Sequence, residues 1–142
     1  MAEKKTEAEV KKAVEEKYMM LQLMASQIRE LEKELETLQQ RGEEFSGLKA
    51  SLRKLSGVSV GSKSFSSLGM GTYVESEIKN TGSILVNVGA GVFVKKTARE
   101  AEDIVSRQTE QLDTVAGQLT HNIATLAQRA QELESEIQEL VQ

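Results

Sequence analysis

Leucine recurs every seven residues at Leu112, Leu119, Leu126, Leu133 and Leu140, and nothing else in the chain restricts its fold as strongly. Ala116, Ile123, Ala130 and Ile137 fill the companion position four residues after each leucine. A 4-3 repeat of that length keeps one stripe facing one side of an α-helix and predicts a coiled coil. The small Ala116 and Ala130 let a partner helix approach closely. Gly117 lies outside the seam and costs about 1 kcal/mol relative to Ala. The pattern predicts a helix over 97–141.

Such a stripe needs a partner, and the front of the chain supplies one. Val14, Leu21, Ile28 and Leu35 repeat every seven residues, with Met24, Leu31 and Leu38 interleaved three residues later. The predicted helix runs from 6 to 56, about 75 Å. Charged residues such as Glu30, Lys33, Glu34 and Glu36 flank the seam, where they bear on partner choice. Beyond Leu38 the spacing is expected to slip. Gly42 stands where an apolar residue is due, and the series resumes as Phe45, Leu48, Leu52 and Leu55. The two helices are expected to fold back as an antiparallel pair. Both chain ends then lie at one end, with residues 57–96 about 70 Å away at the other.

Residues 57–96 read differently from their flanks. They hold seven of the ten glycines and a short internal repeat. Leu68-Gly69-Met70-Gly71-Thr72-Tyr73-Val74 matches Val88-Gly89-Ala90-Gly91-Val92-Phe93-Val94 position by position: aliphatic, Gly, variable, Gly, β-branched, aromatic, Val. Each copy is a bend that glycine permits, feeding a run suited to a pleated strand. Short strands are predicted near 58–60, 72–78, 84–88 and 92–94. Lys79-Asn80-Thr81-Gly82-Ser83 is predicted as a hairpin turn between 72–78 and 84–88. Such hairpins have open edges and are marginal alone in water. Tyr73, Val74, Ile78, Ile84, Val86, Val88, Phe93 and Val94 are therefore the expected assembly residues, covered when strands of several subunits close into a barrel. The expected organisation is a coiled-coil helix at 1–56, a double β-hairpin assembly segment at 57–96 and a second coiled-coil helix at 97–142. The fold class is mainly α with a small β part. A long antiparallel α-helical coiled coil has its helices joined by two β-hairpins, which form a β-barrel platform on oligomerisation.

Composition removes other classes. Five aromatics and no Trp make a poor globular core. There is no Pro to stop a helix. There is no Cys for a disulfide or thiolate site, which fits a reducing compartment. A net charge of −4 gives no reason to expect nucleic-acid binding. The polar start Met1-Ala2-Glu3-Lys4-Lys5-Thr6-Glu7 does not read as a signal peptide, and no apolar run approaches the roughly 20 residues of a membrane span. A soluble cytoplasmic protein is expected. Gly69-x-Gly71 and Gly89-x-Gly91 lack the third glycine and the following helix of a dinucleotide fingerprint. Gly61-Ser62-Lys63-Ser64 lacks the spacing of a phosphate loop. His121 is the only histidine, so no His cluster can bind a metal. No cofactor, metal or catalytic constellation is called for, and the chain is not expected to be an enzyme.

Taken together, the two helices and the doubled hairpin make the chain resemble prefoldin, specifically an alpha-class subunit of the archaeal type. The resemblance rests above all on Ser67–Val74 and on Val86-Asn87-Val88-Gly89-Ala90-Gly91-Val92-Phe93-Val94-Lys95-Lys96, and it covers nearly the whole chain. Beta-class subunits of that family carry one hairpin. The family often has Pro where this chain has Ser67. The resemblance implies a hexamer of two alpha and four beta subunits whose hairpins form a double β-barrel. Coiled coils hang from it, and their tips hold unfolded client proteins and deliver them to a group II chaperonin without nucleotide.

The residues point to the same place. Val10, Val14, Tyr18, Met19, Met20, Leu21, Leu23 and Met24 cover more of the first helix than one seam requires. Methionine is flexible and polarizable, as a promiscuous surface needs. The expected client-binding tips are Val10, Val14, Tyr18, Met19, Met20, Ile137, Leu140 and Val141, each weak alone and joined by avidity. Plain packing against the partner helix or a sister subunit is the competing reading for Tyr18, Met19, Met20 and Leu23. At the level of function, one alternative is a structural coiled-coil protein or divergent prefoldin paralogue that self-assembles into filaments through its β segment. Another is an adaptor whose coiled coil docks one partner helix.

Overall fold

The computed structural model describes residues 6–142; the polar stretch Met1–Lys5, and with it most of the N-terminal segment weighed as a leader, lies outside them. Six elements follow in order: α1 (Glu7–Leu55), β1 (Lys63–Gly69), β2 (Thr72–Glu77), β3 (Ile84–Gly89), β4 (Val92–Lys96) and α2 (Ala98–Val141). Both helices open on the same device, Thr-x-x-Glu. At α1 the Glu9 N–H donates to Thr6 Oγ1 (3.3 Å) and the Thr6 N–H donates back to Glu9 Oε2 (3.2 Å). At α2 the Glu100 N–H donates to Thr97 Oγ1 (3.1 Å), and the Thr97 hydroxyl donates to Glu100 Oε1 (3.2 Å). The first box satisfies two backbone N–H groups that the first turn leaves without helical partners, and the second satisfies one, the Glu100 N–H.

The chain forms two compact units. One joins the segment ending at Gln40 to Asp113–Gln142; the other is Arg41–Leu112. Within the first unit the helices run antiparallel. Lys17 meets Glu136, while Gln27, Leu31 and Glu34 line a shallow groove with Asn122 and Leu126, so numbers rise on one helix as they fall on the other. Leu119 and Leu133 are its buried seam residues, Leu133 at 1% exposure. Within the second unit Leu52, Ala101 and Val105 form the buried cluster, with Phe45, Ile84 and Val86 packed against it. Arg53 pairs with Glu102 beside that cluster.

The seam of α1 does not slip. The positions withdrawn from solvent include Val14, Lys17, Leu21, Met24, Ile28, Leu31, Leu35, Leu38, Gly42, Phe45, Lys49 and Leu52, an unbroken 3-4 series. Gly42 stays in register because Leu112 of α2 fills the space beside it; a Cβ there would lie 3.7 Å from Leu112 Cδ2. Leu48, expected in the seam, is 47% exposed. It lines an apolar groove with Leu52, Ile84, Val86, Ile104 and Val105. The seam of α2 also extends further back than Leu112, through Thr109, Val105 and Ala101.

The β segment corrects two expectations. First, 58–60 is not a strand. Val58 donates its N–H to the Leu55 carbonyl and Ser62 donates to Ser59, so this stretch winds off the helix through Gly61 at φ +89°. The strand lies further on, at the serine-rich β1, and exists because β2 pairs with it from Lys63↔Glu77 to Gly69↔Thr72. Second, Lys79–Ser83 is not a hairpin turn. β1 pairs only with β2 and β3 only with β4, in two separate antiparallel sheets. The hairpin turns are the Gly-x-Gly bends themselves.

Those bends are built alike. Met70 and Ala90 both have φ of 50°, followed by Gly71 and Gly91 at 75° and 73°. Positive φ at both central residues is the two-residue turn whose twist suits a hairpin. Register shifts by one residue just before each turn, between Ser67 and Gly69 and between Asn87 and Gly89. The Gly69 N–H donates to Ser67 Oγ (3.2 Å), and the Gly89 N–H donates to Asn87 Oδ1 (3.0 Å). A short polar side chain thus braces each bulge at the same place.

Candidate functional site

Two surfaces stand out, one in each compact unit. In the first unit, at the end of the helix pair that carries the start of α1 and the end of α2, Tyr18, Met19, Met20 and Leu23 are exposed, Met19 at 71%. None of the four is needed by the seam, which passes through Val14, Lys17, Leu21 and Met24. Met19 and Leu23 are helical neighbours four residues apart, so the patch is continuous. Of the other residues expected at the tips, Val10, Val14, Ile137 and Leu140 are half-buried along the seam, and Val141 is exposed. The eight therefore divide into an outward set and an inward set.

One element of this end escaped sequence reasoning. Lys17 holds a seam position between Val14 and Leu21, and its Nζ donates to Glu136 Oε2 at 2.6 Å. Arg129 Nη1 bridges Glu136 Oε1 (3.4 Å) and Glu132 Oε2 (3.2 Å). The hydrogen bond from Lys17 holds the Glu136 carboxyl below the usual glutamate range, aided by the charges of Lys17 and Arg129 and opposed by partial burial. Glu132 and Glu136 in turn raise the pKa of the Arg129 guanidinium. Spacing could have found Lys17, three residues after Val14 and four before Leu21; its charge hid it.

In the second unit the sheets carry apolar side chains that no described residue covers. Tyr73, Val74, Val88, Phe93 and Val94 are exposed. Ile84 and Val86 turn the inner face of β3 onto the Leu52 cluster and are half-buried. Ile78 lies just past β2, where its backbone ties to Ser62 (3.0 Å) and Gly61 (2.6 Å). Phe65, Leu68, Met70, Leu85 and Val92 are also exposed and belong to the same surface. Phe65 and Leu68 are absent from the expected assembly residues because β1 was not read as a strand. On the first hairpin Val74 and Tyr73 point to opposite faces, as consecutive strand residues must, and neither face is buried.

Among the described residues no His, Cys, Asp or Glu cluster could hold a metal, and no helix is long and apolar enough to cross a membrane. The geometry supports contact with other chains.

The sequence profile described as prefoldin subunit matches residues 24–142. The chain belongs to the prefoldin family. Prefoldin subunit alpha of Methanosarcina mazei is 38% identical over 69 residues, 49% of this chain and 49% of that protein. Prefoldin subunit alpha of Methanococcoides burtonii is 30% identical over 121 residues, 80% of this chain and 88% of its relative. The match thus spans about half the length of some curated prefoldin relatives and most of others. A chain from the cryo-electron microscopy structure of filamentous prefoldin from Methanocaldococcus jannaschii superposes with a TM-score of 0.75 at 21% identity, over 84% of this chain and 98% of that one. This places two long helices around two β-hairpins as the prefoldin fold. Tyr18, Met19, Met20 and Leu23 all precede the stretch matched by the prefoldin profile.

Proposed function

We propose that this chain is the alpha-class subunit of an ATP-independent holdase. The observation that carries the proposal is the exposed cluster Tyr18, Met19, Met20 and Leu23 at the end of a helix pair whose seam has no use for it. Apolar patches on a soluble surface mark sites of interaction, and methionine adapts to unrelated partners. The client is a non-native polypeptide in the cytoplasm, held weakly at each tip and more tightly where several tips engage it. The exposed faces of the two hairpins supply the assembly surface. Their partners are the beta subunits of a hexamer with two alpha and four beta chains, closed through a β-barrel platform, and the held client passes to a group II chaperonin.

Removal of residues 1–20 and 134–142 tests the reading. Suppression of client aggregation is expected to fall to the level of buffer, while the mass of the assembly drops only by the residues removed. Suppression that survives the truncation would move the client site elsewhere.

A second reading has one observation in its favour: the similar Methanocaldococcus jannaschii chain comes from a filamentous assembly. On this reading the chain self-assembles through its β segment. Light-scattering mass separates the two. A single closed species that forms only on mixing with a beta subunit supports the hexamer; a polydisperse homo-assembly indifferent to that subunit supports the filament.

A further inference from the structure

Sulfur is unevenly placed in this chain. There is no Cys, so the thioether of methionine is the only sulfur that a peroxide meets. Of the five methionines, Met1 lies outside the described residues. Met24 is half-buried in the seam of α1. Met70 is fully exposed at the turn of the first hairpin, and Met19 and Met20 are 71% and 45% exposed. Oxidation follows exposure, and two of the three accessible sulfurs stand side by side in the patch with Tyr18 and Leu23. Leu23 lies four residues after Met19 and three after Met20, so both thioethers share its helix face. The seam runs through Val14, Lys17, Leu21 and Met24 instead. A change of polarity at Met19 or Met20 therefore alters what the surface can bind and leaves the helix pairing alone.

We infer that Met19 and Met20 form a reversible oxidation site for hydrogen peroxide or an organic hydroperoxide, and that their sulfoxides release the client. This rests on the reading that clients bind at this end. In the step, the sulfur lone pair attacks one peroxide oxygen and the O–O bond breaks. The sulfur is oxidised to the sulfoxide, and its electron pair reduces the peroxide. The other oxygen takes up the proton of the first and leaves as water or alcohol. The product is polar and chiral where the thioether was apolar and flexible. Methionine sulfoxide reductases, one for each epimer, return the patch to its starting state. The soft sulfur that suits the patch to unlike clients is the same group that this oxidant attacks.

The test uses the full chain, treated with hydrogen peroxide and freed of it before mixing with reduced, carboxamidomethylated lysozyme as the unfolded probe. Peptide mass spectrometry is expected to find sulfoxide on Met19 and Met20 well before Met24. The dissociation constant for the probe should rise roughly tenfold, the ratio that lost burial of one such side chain confers. Helical circular dichroism and the thermal midpoint should stay where they were. Treatment with both methionine sulfoxide reductases should restore the affinity. Met19→Leu with Met20→Leu is read against its own untreated affinity, which peroxide should not change. Met70→Leu should respond to peroxide as wild type does. Oxidation of Met24 as fast as Met19 would overturn the inference. So would an oxidised wild-type chain that binds the probe as before, or an equal loss in the chain with both leucine substitutions. The reading beneath it has a separate check, since Met19→Glu with Met20→Glu should weaken probe binding without peroxide. If that chain binds like wild type, the tip is not the client site. If it binds weakly while the oxidised wild type does not, the client site stands and the switch falls.

Discussion

Gly42 shows how a single residue can be misjudged from spacing. Glycine at a seam position suggests a break, because it offers no side chain to pack and favours disorder in a helix interior. Here the neighbour makes up the difference, since Leu112 reaches into the space and the seam continues to Phe45 without a shift. A Cβ at this position would sit at 3.7 Å from Leu112 Cδ2, an ordinary van der Waals distance. Gly42→Ala is therefore expected to stabilise the protein by about 1 kcal/mol, the helix propensity difference, without displacing Leu112. The midpoint of a denaturant titration followed by helical circular dichroism measures it. A loss of stability would mean that the helices need closer approach than this geometry has. Glycines 69, 71, 89 and 91 are different in kind. All four have positive φ, and there the sequence signal was sound: each Gly-x-Gly was read as a bend, which it is. Lys17 and Thr109 were missed for the reverse reason. Their polarity concealed seam positions that spacing alone would have assigned.

At the scale of elements, the two helices were legible nearly to the residue. A heptad sustained over five leucines leaves little choice, and Thr6 and Thr97 cap the starts by accepting the N–H of Glu9 and Glu100. The strands were half legible. β2, β3 and β4 carry Val, Ile, Leu, Tyr and Phe, whereas β1 is Lys-Ser-Phe-Ser-Ser-Leu-Gly and owes its conformation to its partner. Which strands pair was the least legible of all, because Asn80 and Gly82 read like a turn between β2 and β3. In the structure Asn80 Oδ1 accepts the Gly82 N–H (2.8 Å) and shapes a linker instead. The Lys17–Glu136–Arg129 cluster gives α1 and α2 a pH dependence of defined sign. Glu136 is held below the ordinary glutamate value when the helices pair, chiefly by the hydrogen bond from Lys17. A depressed folded-state value means that this contribution is fully present above the ordinary value, about 4.3, and is lost as pH falls through the lower folded one. Lys17, Arg129 and Glu132 are the charged groups that face this cluster, and the raised pKa of Arg129 keeps its guanidinium charged throughout that window. Amide protection factors near the start of α1 and the end of α2 are thus expected to fall as the pH drops below the ordinary glutamate value, and Glu136→Gln should flatten that part of the profile. A profile unchanged by the substitution would assign the acid response to other carboxylates.

At the scale of the whole molecule, the described residues leave the β segment unfinished. Each sheet has two strands, and two strands alone are marginal in water. The helices bury one face of one hairpin, through Ile84 and Val86, while Tyr73, Val74, Val88, Phe93 and Val94 remain in solvent. That something must cover them was legible in the sequence, since alternating apolar residues on open-edged hairpins have no other use. What covers them was not legible, because no described residue of the chain does so. Two modes of covering make different demands. Pairing of strand edges needs only backbone N–H and C=O groups, whereas closure into a barrel also needs apolar side chains to fill the interior. Tyr73→Ser with Phe93→Ser keeps both Gly-x-Gly turns and every ladder hydrogen bond while removing two large exposed side chains, each worth about 1.5–3 kcal/mol where fully buried. Barrel closure predicts that this pair of changes shifts the assembly toward smaller species by light scattering at equal concentration, with helical content retained. An assembly mass that does not respond would leave edge pairing as the mode of association, the mode that extends without closing and leads to filaments.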